Sequence, residues 1–315
     1  MTYARSENPR ARWIGFAKLA SVWAAALLVP LAQAASGSSG TLERVREAGK
    51  ITFGYRVDAR PFSYRDESGG ASGYSVALCQ KVADQVKTEL ALPTLAVEWI
   101  PVTMEDRFHQ VQQGKVDLLC ASDSMTLERR KEVSFSIPIF PGGIGALLRA
   151  DATPGLKDVL SGRLSSQVRW RGSPAKILEQ QTFSVVAGTT SQSWLARRLE
   201  KLELSAKVVT VPSYEAGVRG VLDREANVFF AERAILLDAA KRSASAEDLV
   251  VLDRHFTYES TALGLARGDE DFRLLVDRTL SQFFETAAFA ELYGRWFGTP
   301  DQSTLTFFQQ SALPK

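Results

Sequence analysis

Histidine and cysteine, the residues that most often carry metal-dependent or nucleophilic chemistry, are scarce in this sequence. Its 315 residues include two histidines and two cysteines. His109 falls on a predicted amphipathic helix and His255 in a loop, and neither lies near a serine or cysteine nucleophile signature. The cysteines fit no metal-ligand spacing. The sequence therefore favours binding over catalysis, and it predicts no metal site and no cofactor.

Long apolar runs are also rare, and the clearest one lies at the N-terminus. Basic residues, the last of them Lys18, precede an apolar run at 19–31, and Ala32–Ala34 supplies small residues for cleavage. That order is typical of a secretory signal peptide, whereas a membrane anchor needs an apolar run of roughly 20 residues. We therefore expect a cleaved signal peptide at 1–34 and a mature protein in the periplasm.

The basic charge of the sequence belongs to that N-terminal segment. The whole chain carries a formal net charge of +2, and residues 1–34 hold four basic residues against one acidic residue. The mature chain therefore has a formal net charge of −1. Such a balance does not call for an acidic partner, so we expect no nucleic-acid partner.

Cys79 and Cys120 are the two cysteines of the chain. Cys79 falls on a predicted helix and Cys120 at the end of a predicted strand. In an oxidising compartment they can form a disulfide, and two buried free thiols are the alternative. The sequence leaves both open.

Apolar strand patterns alternate with amphipathic helical patterns along most of the chain. Three strand patterns between 51 and 121 are separated by two helical patterns. After an irregular segment at 151–182, the alternation restarts and ends in two C-terminal helices. This order predicts an α/β fold with a mostly parallel sheet covered on both faces. Such a sheet binds ligands beyond the carboxyl ends of its strands.

Polar side chains follow two of these strands. Ser122, Ser124 and Arg129 share the loop and helix start after the strand predicted at 116–121. Gly188–Ser191 opens a helix directly after another strand, and its N–H groups and hydroxyls suit a carboxylate, although N-capping by threonine explains the motif equally well. Because arginine holds a carboxylate bidentately, the pattern predicts a small anionic ligand.

Several segments together resemble a known family, in the same order and with similar spacing. They are similar to the family 3 extracellular solute-binding proteins, and most of all to the glutamate/aspartate-binding components of ABC transporters. The resemblance runs from about 42 to 297. The segments that carry it are Ile51–Tyr64, Gly73–Ser75, Pro101–Arg107, Cys120–Ser136, Gly188–Ser191 and Trp296–Phe297.

The resemblance implies a two-lobe periplasmic-binding-protein fold of the Venus-flytrap kind (type II). Two crossover strands are expected near 144–149 and 258–266. Lobe 1 would combine 41–146 with 261–315, and lobe 2 would be 150–258. This arrangement would let the C-terminal helices return to cover lobe 1.

Carried over residue by residue, the resemblance implies a site for the carboxylate and ammonium groups of an amino acid. Glu232 falls where the family usually has an aspartate that pairs with the α-ammonium. The longer side chain of glutamate at this position could shrink the pocket. The α-carboxylate would be held by Arg129, with Ser122, Ser124, Thr189 and Thr190 around it.

Arg56 and Arg107, taken alone, are typical of surface ion pairs. The resemblance implies instead that both face the side-chain carboxylate of an acidic ligand. Tyr214 stands where acidic-amino-acid binders have a histidine. Two guanidinium groups facing one carboxylate imply that an acid binds about a hundredfold tighter than its amide. The ligand stays open between glutamate, aspartate and a related dicarboxylate.

The same resemblance implies the partners of the protein. We expect a monomer that captures a small amino acid or dicarboxylate and delivers it to an ABC transporter membrane permease, with no enzymatic activity. One alternative is a periplasmic enzyme on the same fold, similar to the cyclohexadienyl dehydratases. A second alternative is a ligand-sensing domain.

Overall fold

Helices cover two larger β-sheets and one small sheet in the computed structural model, which describes residues 40–163 and 174–314. The predicted signal peptide at 1–34 lies outside these residues, as does part of the segment at 151–182. Within the described ranges, no helix is long and apolar enough to cross a bilayer.

Eleven α-helices form within the described residues. Gly49, with φ at 63°, ends the first helix in the left-handed conformation that glycine adopts at low cost. The helices are α1 (Thr41–Ala48), α2 (Tyr74–Glu89), α3 (Arg107–Gln112), α4 (Pro154–Ser161), α5 (Pro174–Glu179), α6 (Thr190–Lys201), α7 (Tyr214–Leu222), α8 (Arg233–Arg242), α9 (Glu270–Phe284), α10 (Ala287–Phe297) and α11 (Gln302–Ser311).

The strands are short, and the central strands of the two larger sheets are buried on both faces. Two single turns of 3-10 helix also form: Arg129–Lys131 lies between β6 and β7, and Ala246–Asp248 lies between α8 and β13. The strands are β1 (Lys50–Arg56), β2 (Asp58–Ala59), β3 (Ser63–Arg65), β4 (Ala71–Ser72), β5 (Ala96–Val102), β6 (Leu118–Ser124), β7 (Ser134–Phe135), β8 (Phe140–Gly142), β9 (Ile144–Arg149), β10 (Thr182–Val186), β11 (Lys207–Val211), β12 (Val228–Glu232), β13 (Leu249–Val251) and β14 (Glu259–Leu265).

The two larger sheets are each part parallel and part antiparallel. The first has the order β5-β1-β6-β14-β7, with β8 also paired to β14, and the second has the order β11-β10-β12-β9-β13. In the first sheet β1 runs parallel to β5 and β6, while β14 is antiparallel to its neighbours. In each sheet all strands but one run in the same direction, and the opposed strand is β14 in the first sheet and β9 in the second. The strands are therefore mostly parallel in direction, as expected.

The chain passes between the two sheets twice. The predicted crossover at 144–149 is β9, which lies wholly in the second sheet, and the one near 258–266 contains β14, which lies in the first. The first passage is therefore the single residue Gly143, and the second is the stretch 252–258. A Cβ atom on Gly143 would lie 2.1 Å from the Thr257 carbonyl oxygen, so the two passages pack too closely for any other residue there.

The C-terminal helices return to the first sheet. The ring of Phe297 on α10 lies 4.5 Å from that of Phe140 on β8 and 5.4 Å from that of Phe62, which precedes β3. The fully buried Tyr74 joins this cluster and donates a hydrogen bond to the Ile139 carbonyl at 2.8 Å. These ring contacts hold the segment after β1 against α2 and α10, and that segment leads to the candidate site.

A disulfide joins Cys79 on α2 to Cys120 on β6. The two Cα atoms lie 6.2 Å apart, and both residues are fully buried. The bond ties β6, which ends in Ser122–Ser124, to the helix behind it. A cross-link of this kind stabilises a fold chiefly by restricting the unfolded chain.

We expect Gly217→Ala, a change on α7, to destabilise the protein by several kcal/mol. A Cβ atom there would lie 2.3 Å from the Phe229 ring of β12, so the helix that carries Tyr214 must move off the sheet. Gly294 on α10 offers a matched control, because no atom lies within 4 Å of its added Cβ. Gly294→Ala should stabilise by up to about 1 kcal/mol. Urea unfolding measures both, and equal effects of the two changes would contradict the packing argument.

Candidate functional site

A cavity lies between the two sheets, where the carboxyl ends of β1, β6, β10 and β12 meet. Eight of the nine site residues expected from the sequence line it, and Arg107 is the exception. A wider cleft of about 900 Å³ adjoins it and shares Tyr214 with it. The residues that line the cavity are Arg56, Ala59, Met104, Ala121, Ser122, Asp123, Ser124, Arg129, Ile144, Thr189, Thr190, Ser191, Tyr214 and Glu232.

Arg129 reaches the cavity from the 3-10 turn after β6. Its backbone N–H donates to the Thr126 hydroxyl at 3.1 Å, which fixes the turn. Its Nη1 donates to the Ser124 carbonyl at 3.0 Å, and its side chain is only 13% exposed. One edge of the guanidinium is thus held by the protein, and the group is pre-positioned for a carboxylate.

The start of α6 faces the cavity from the second sheet. Thr189 caps this helix: its hydroxyl accepts from the Gln192 N–H at 3.3 Å and donates to the Val186 carbonyl at 2.7 Å. The hydroxyl proton is therefore already engaged, and the capping interpretation holds for this side chain. Thr190 and Ser191, in the first turn, supply backbone N–H groups that have no partner inside the helix and suit an anion.

Glu232 ends β12 beside the passage at Gly143. Its Oε2 accepts from the Gly143 N–H at 2.8 Å, and its Oε1 accepts from the Ala234 N–H at 3.4 Å. Burial raises the pKa of the Glu232 carboxyl to about 8, against the opposing effect of these N–H groups. At neutral pH the side chain is therefore mostly protonated, unless a positive charge enters the cavity.

Arg56 ends β1 and is only 5% exposed. Its Nη2 donates to Asp58 Oδ1 at 2.5 Å, and its Nη1 lies 3.5 Å from the Met104 sulfur. The sequence did not single out Asp58 or Met104. The guanidinium lines the cavity with a carboxylate of the protein already beside it.

Arg107, at the start of α3, lies behind the cavity wall. Its Nε donates to Asp123 Oδ1 at 2.7 Å, and its Nη1 donates to the Met104 carbonyl. Both members of the pair are buried, at 4% exposure each. Arg107 thus contacts Asp123, which lines the cavity, and its own side chain does not line it. Asp123 lies between Ser122 and Ser124, and sequence reasoning missed it.

Tyr214 begins α7 and faces the cavity from the second sheet. Ser213 caps the helix and so places Tyr214 at its first position. Burial raises the pKa of the Tyr214 hydroxyl to about 12, so the group stays protonated and offers an O–H donor. This residue presents a neutral donor to the cavity.

Side chains from the two sheets meet around the cavity. Arg60 follows β2, and its Nε lies 3.3 Å from Oδ1 of Asp238 on α8. A Cβ on Gly188 would lie 3.2 Å from the Met104 side chain. Among the residues in the described ranges, no group of histidine, cysteine or carboxylate side chains could hold a metal ion. The arrangement places arginine, hydroxyl and N–H groups on opposite sides of one cavity of about 30 Å³, and these are groups that bind a small anion.

Comparison with known proteins matches this architecture. Residues 51–299 match the bacterial extracellular solute-binding proteins, family 3. The chain belongs to this family. The resemblance found in the sequence is thus confirmed, and the shared fold is the two-lobe periplasmic-binding-protein fold. We call the part built on the first sheet lobe 1 and the part built on the second sheet lobe 2.

Three relatives illustrate the similarity. The L-glutamate/L-aspartate-binding protein of Pseudomonas aeruginosa is 29% identical over 83% of this chain and 81% of its own length. The glutamate/aspartate import solute-binding protein of Escherichia coli is 25% identical over 89% and 88%. The crystal structure of an ancestral amino acid-binding protein, a precursor of cyclohexadienyl dehydratase, has a TM-score of 0.68 at 23% identity and covers 82% of this chain and 100% of that one.

The raised pKa of Glu232 predicts a pH-dependent contribution to stability. The folded protein retains a proton up to about pH 8, whereas the unfolded chain releases it near 4.5. The stabilising contribution is therefore complete below about pH 4.5 and is lost as the pH rises to about 8. Melting temperatures of the wild type and of Glu232→Gln, which cannot titrate, should converge or cross over this range. The exposed change Glu285→Gln is the control, and parallel curves for wild type and Glu232→Gln would contradict the assignment.

Proposed function

We propose that this protein binds a free α-amino acid in the cavity between its lobes, with an acidic amino acid as the first candidate. The observation that carries the proposal is Arg129, which is held by the Ser124 carbonyl and lies among the residues that line one cavity with the first turn of α6. A guanidinium and a helix N-terminus that close on one carboxylate from two lobes give both charge and geometry for binding.

The α-ammonium group of the ligand finds its partner in Glu232. This carboxyl lies at the passage between the lobes and lines the same cavity as Arg129. An ammonium group placed beside it favours the ionised form and lowers the pKa from about 8. Binding should therefore release a proton from the protein near neutral pH.

Two observations support an acidic side chain. The relatives that are 25–29% identical over most of the chain bind or import glutamate and aspartate. Arg56 and the protonated hydroxyl of Tyr214 line the cavity and can donate to a second carboxylate. A carboxylate that accepts from both would be held by one charged and one neutral donor.

The place of this binding in the cell follows from the family and from the N-terminal segment. A solute-binding protein that encloses its ligand between two lobes delivers it to a membrane permease, and we propose an ABC transporter as the partner. The signal pattern at 1–34 supports export to the periplasm. No catalytic activity forms part of this proposal.

One observation favours a second candidate function. A buried carboxyl that is protonated at neutral pH, as expected for Glu232, has the property that a general acid needs. An enzyme of the cyclohexadienyl dehydratase type would use it to protonate a departing hydroxyl group while the substrate loses carbon dioxide. Incubation with prephenate distinguishes the two functions: release of phenylpyruvate, lost in Glu232→Gln, would establish the enzyme, and stable binding without turnover supports the binding protein.

The ligand itself can be found by a thermal-shift screen of the twenty amino acids and common dicarboxylates. A ligand at a hundredfold excess over its dissociation constant stabilises the folded protein by about 2.7 kcal/mol, which is visible as a rise in melting temperature. Glutamate or aspartate should give such a rise. If none of the screened compounds does, the proposal is wrong.

Arg129→Ala should weaken binding of every α-amino acid ligand. Removing one partner of a buried charged pair costs about 2–5 kcal/mol, which is roughly thirtyfold or more in the dissociation constant. Arg130→Ala is the matched control, because Arg130 is the exposed neighbour in the same 3-10 turn. Titration calorimetry measures both variants. An unchanged dissociation constant in Arg129→Ala would exclude the proposed role of this residue.

A further inference from the structure

Asp123 places a second carboxylate of the protein in the cavity wall. It lies near the end of β6, is 4% exposed, and lines the cavity together with Ser122 and Ser124. Its Oδ1 accepts from Arg107 at 2.7 Å. Its Oδ2 is buried and has no hydrogen-bond partner among the described residues. One oxygen of this carboxylate is therefore engaged by the protein and the other is left for something else.

This carboxylate is ionised. Burial raises the pKa of Asp123, but the charges of Arg107 and Arg129 and the hydrogen bond from Arg107 outweigh it, so the pKa lies below its ordinary value. A buried charged oxygen without a partner costs more free energy than a neutral one. A ligand that donates a hydrogen bond to Oδ2 would remove that cost.

Asp123 also changes what the nearby arginines can do. Arg107 already faces Asp123, and Arg56 already faces Asp58. Each of the two guanidinium groups that the family resemblance assigned to a ligand carboxylate thus has a carboxylate of the protein beside it. The positive potential that would attract an acid and reject an amide is largely offset at this position.

Asp123 Oδ1 lies 2.7 Å from Arg107 Nε and 3.9 Å from Arg129 Nη1, so Asp123 lies between the arginine proposed for the α-carboxylate and the arginine that the resemblance assigned to the ligand side chain. Arg107 connects it to the carbonyl of Met104, and the Met104 sulfur in turn contacts Arg56. Glu232, by contrast, is bound to Gly143 at the passage between the lobes. The ammonium group and the side chain of an amino acid therefore have separate carboxyl partners.

We propose that Asp123 is a specificity-determining residue whose Oδ2 accepts a hydrogen bond from a side-chain amide of the ligand. The site that binds an acidic amino acid thus also admits the corresponding carboxamide. This inference rests on the proposed binding of an amino acid in this cavity. The amide oxygen accepts from Arg56 or Tyr214, and the amide nitrogen donates to Asp123. An acid presents no N–H group there, so its advantage over the amide is small.

The wild-type protein tests the inference directly. Dissociation constants for glutamate and glutamine, and for aspartate and asparagine, are measured by calorimetry at one pH and salt concentration. We expect the acid and the amide of at least one pair to bind within about tenfold of each other, in place of the hundredfold gap expected from two unpaired arginines. An amide that binds more than a hundredfold more weakly than its acid in both pairs would overturn the inference.

Asp123→Asn reverses the hydrogen-bonding character at this position. The asparagine oxygen can keep the contact with Arg107, and its NH₂ group then lies where Oδ2 was. A donor in place of an acceptor favours an acid, so the acid-to-amide preference should rise at least about tenfold. The control is Asp84→Asn, the same change on the exposed face of α2. A ratio that does not change in Asp123→Asn, with its melting transition intact, would also overturn the inference.

The failures of the two proposals have different signatures. If no amino acid binds the wild type, the proposed function fails, and the role of Asp123 fails with it. If acids bind tightly and amides do not, the proposed function stands and the inference alone fails. If Asp123→Asn does not fold, the two wild-type ratios still decide the question.

Discussion

The buried ion pair between Arg107 and Asp123 is the constraint on which the candidate site depends. A charge removed from water must be paired and hydrogen-bonded, and here Arg107 Nε donates to Asp123 Oδ1 at 2.7 Å. The pair fixes the end of β6 against the start of α3, and so it fixes the strand end that carries Ser122 and Ser124. It also engages the Arg107 guanidinium and leaves Oδ2 of Asp123 without a hydrogen-bond partner among the described residues. The charge balance of the site therefore follows from an interaction inside one lobe.

The two-lobe topology supplies the other half of the site. Because the chain crosses between the sheets at Gly143 and again at 252–258, the carboxyl ends of strands from both lobes face one cavity. The crossing is narrow, and its close packing desolvates Glu232. That desolvation is the main cause of the raised pKa of the carboxyl, and the charge of Glu259 adds a smaller effect in the same direction. Desolvation thus keeps Glu232 protonated, whereas the charges of Arg107 and Arg129 keep Asp123 ionised in the wall of the same cavity.

Local pattern predicted much of the fold and of the site. The three strand patterns between 51 and 121 correspond to β1, β5 and β6, and the two helical patterns between them correspond to α2 and α3. The helix α11 and the helix α4, within the segment expected to be irregular, were not foreseen, because short amphipathic stretches carry a weak periodic signal. Sequence reasoning missed Asp123 because successive side chains of a regular strand point to opposite faces of the sheet. Asp123 is therefore not expected on the face that carries Ser122 and Ser124. The pairing of β6 with β14 shifts register between Ala262 and Gly264, and so the alternation does not hold there.

The sequence by itself determined the family, the alternation of strands and helices, and most of the side chains that line the cavity. These depend on residue type and spacing, which local physics and the order of motifs record. Only the tertiary structure decided the partner of each charged or titratable side chain. Arg107 pairs with Asp123, Arg56 pairs with Asp58, and Glu232 accepts from the N–H of Gly143. The partner and the solvent exposure of a charged group depend on residues brought together from distant parts of the chain. A guanidinium group that the sequence presents as free for a ligand can therefore be engaged by the protein itself once the chain has folded.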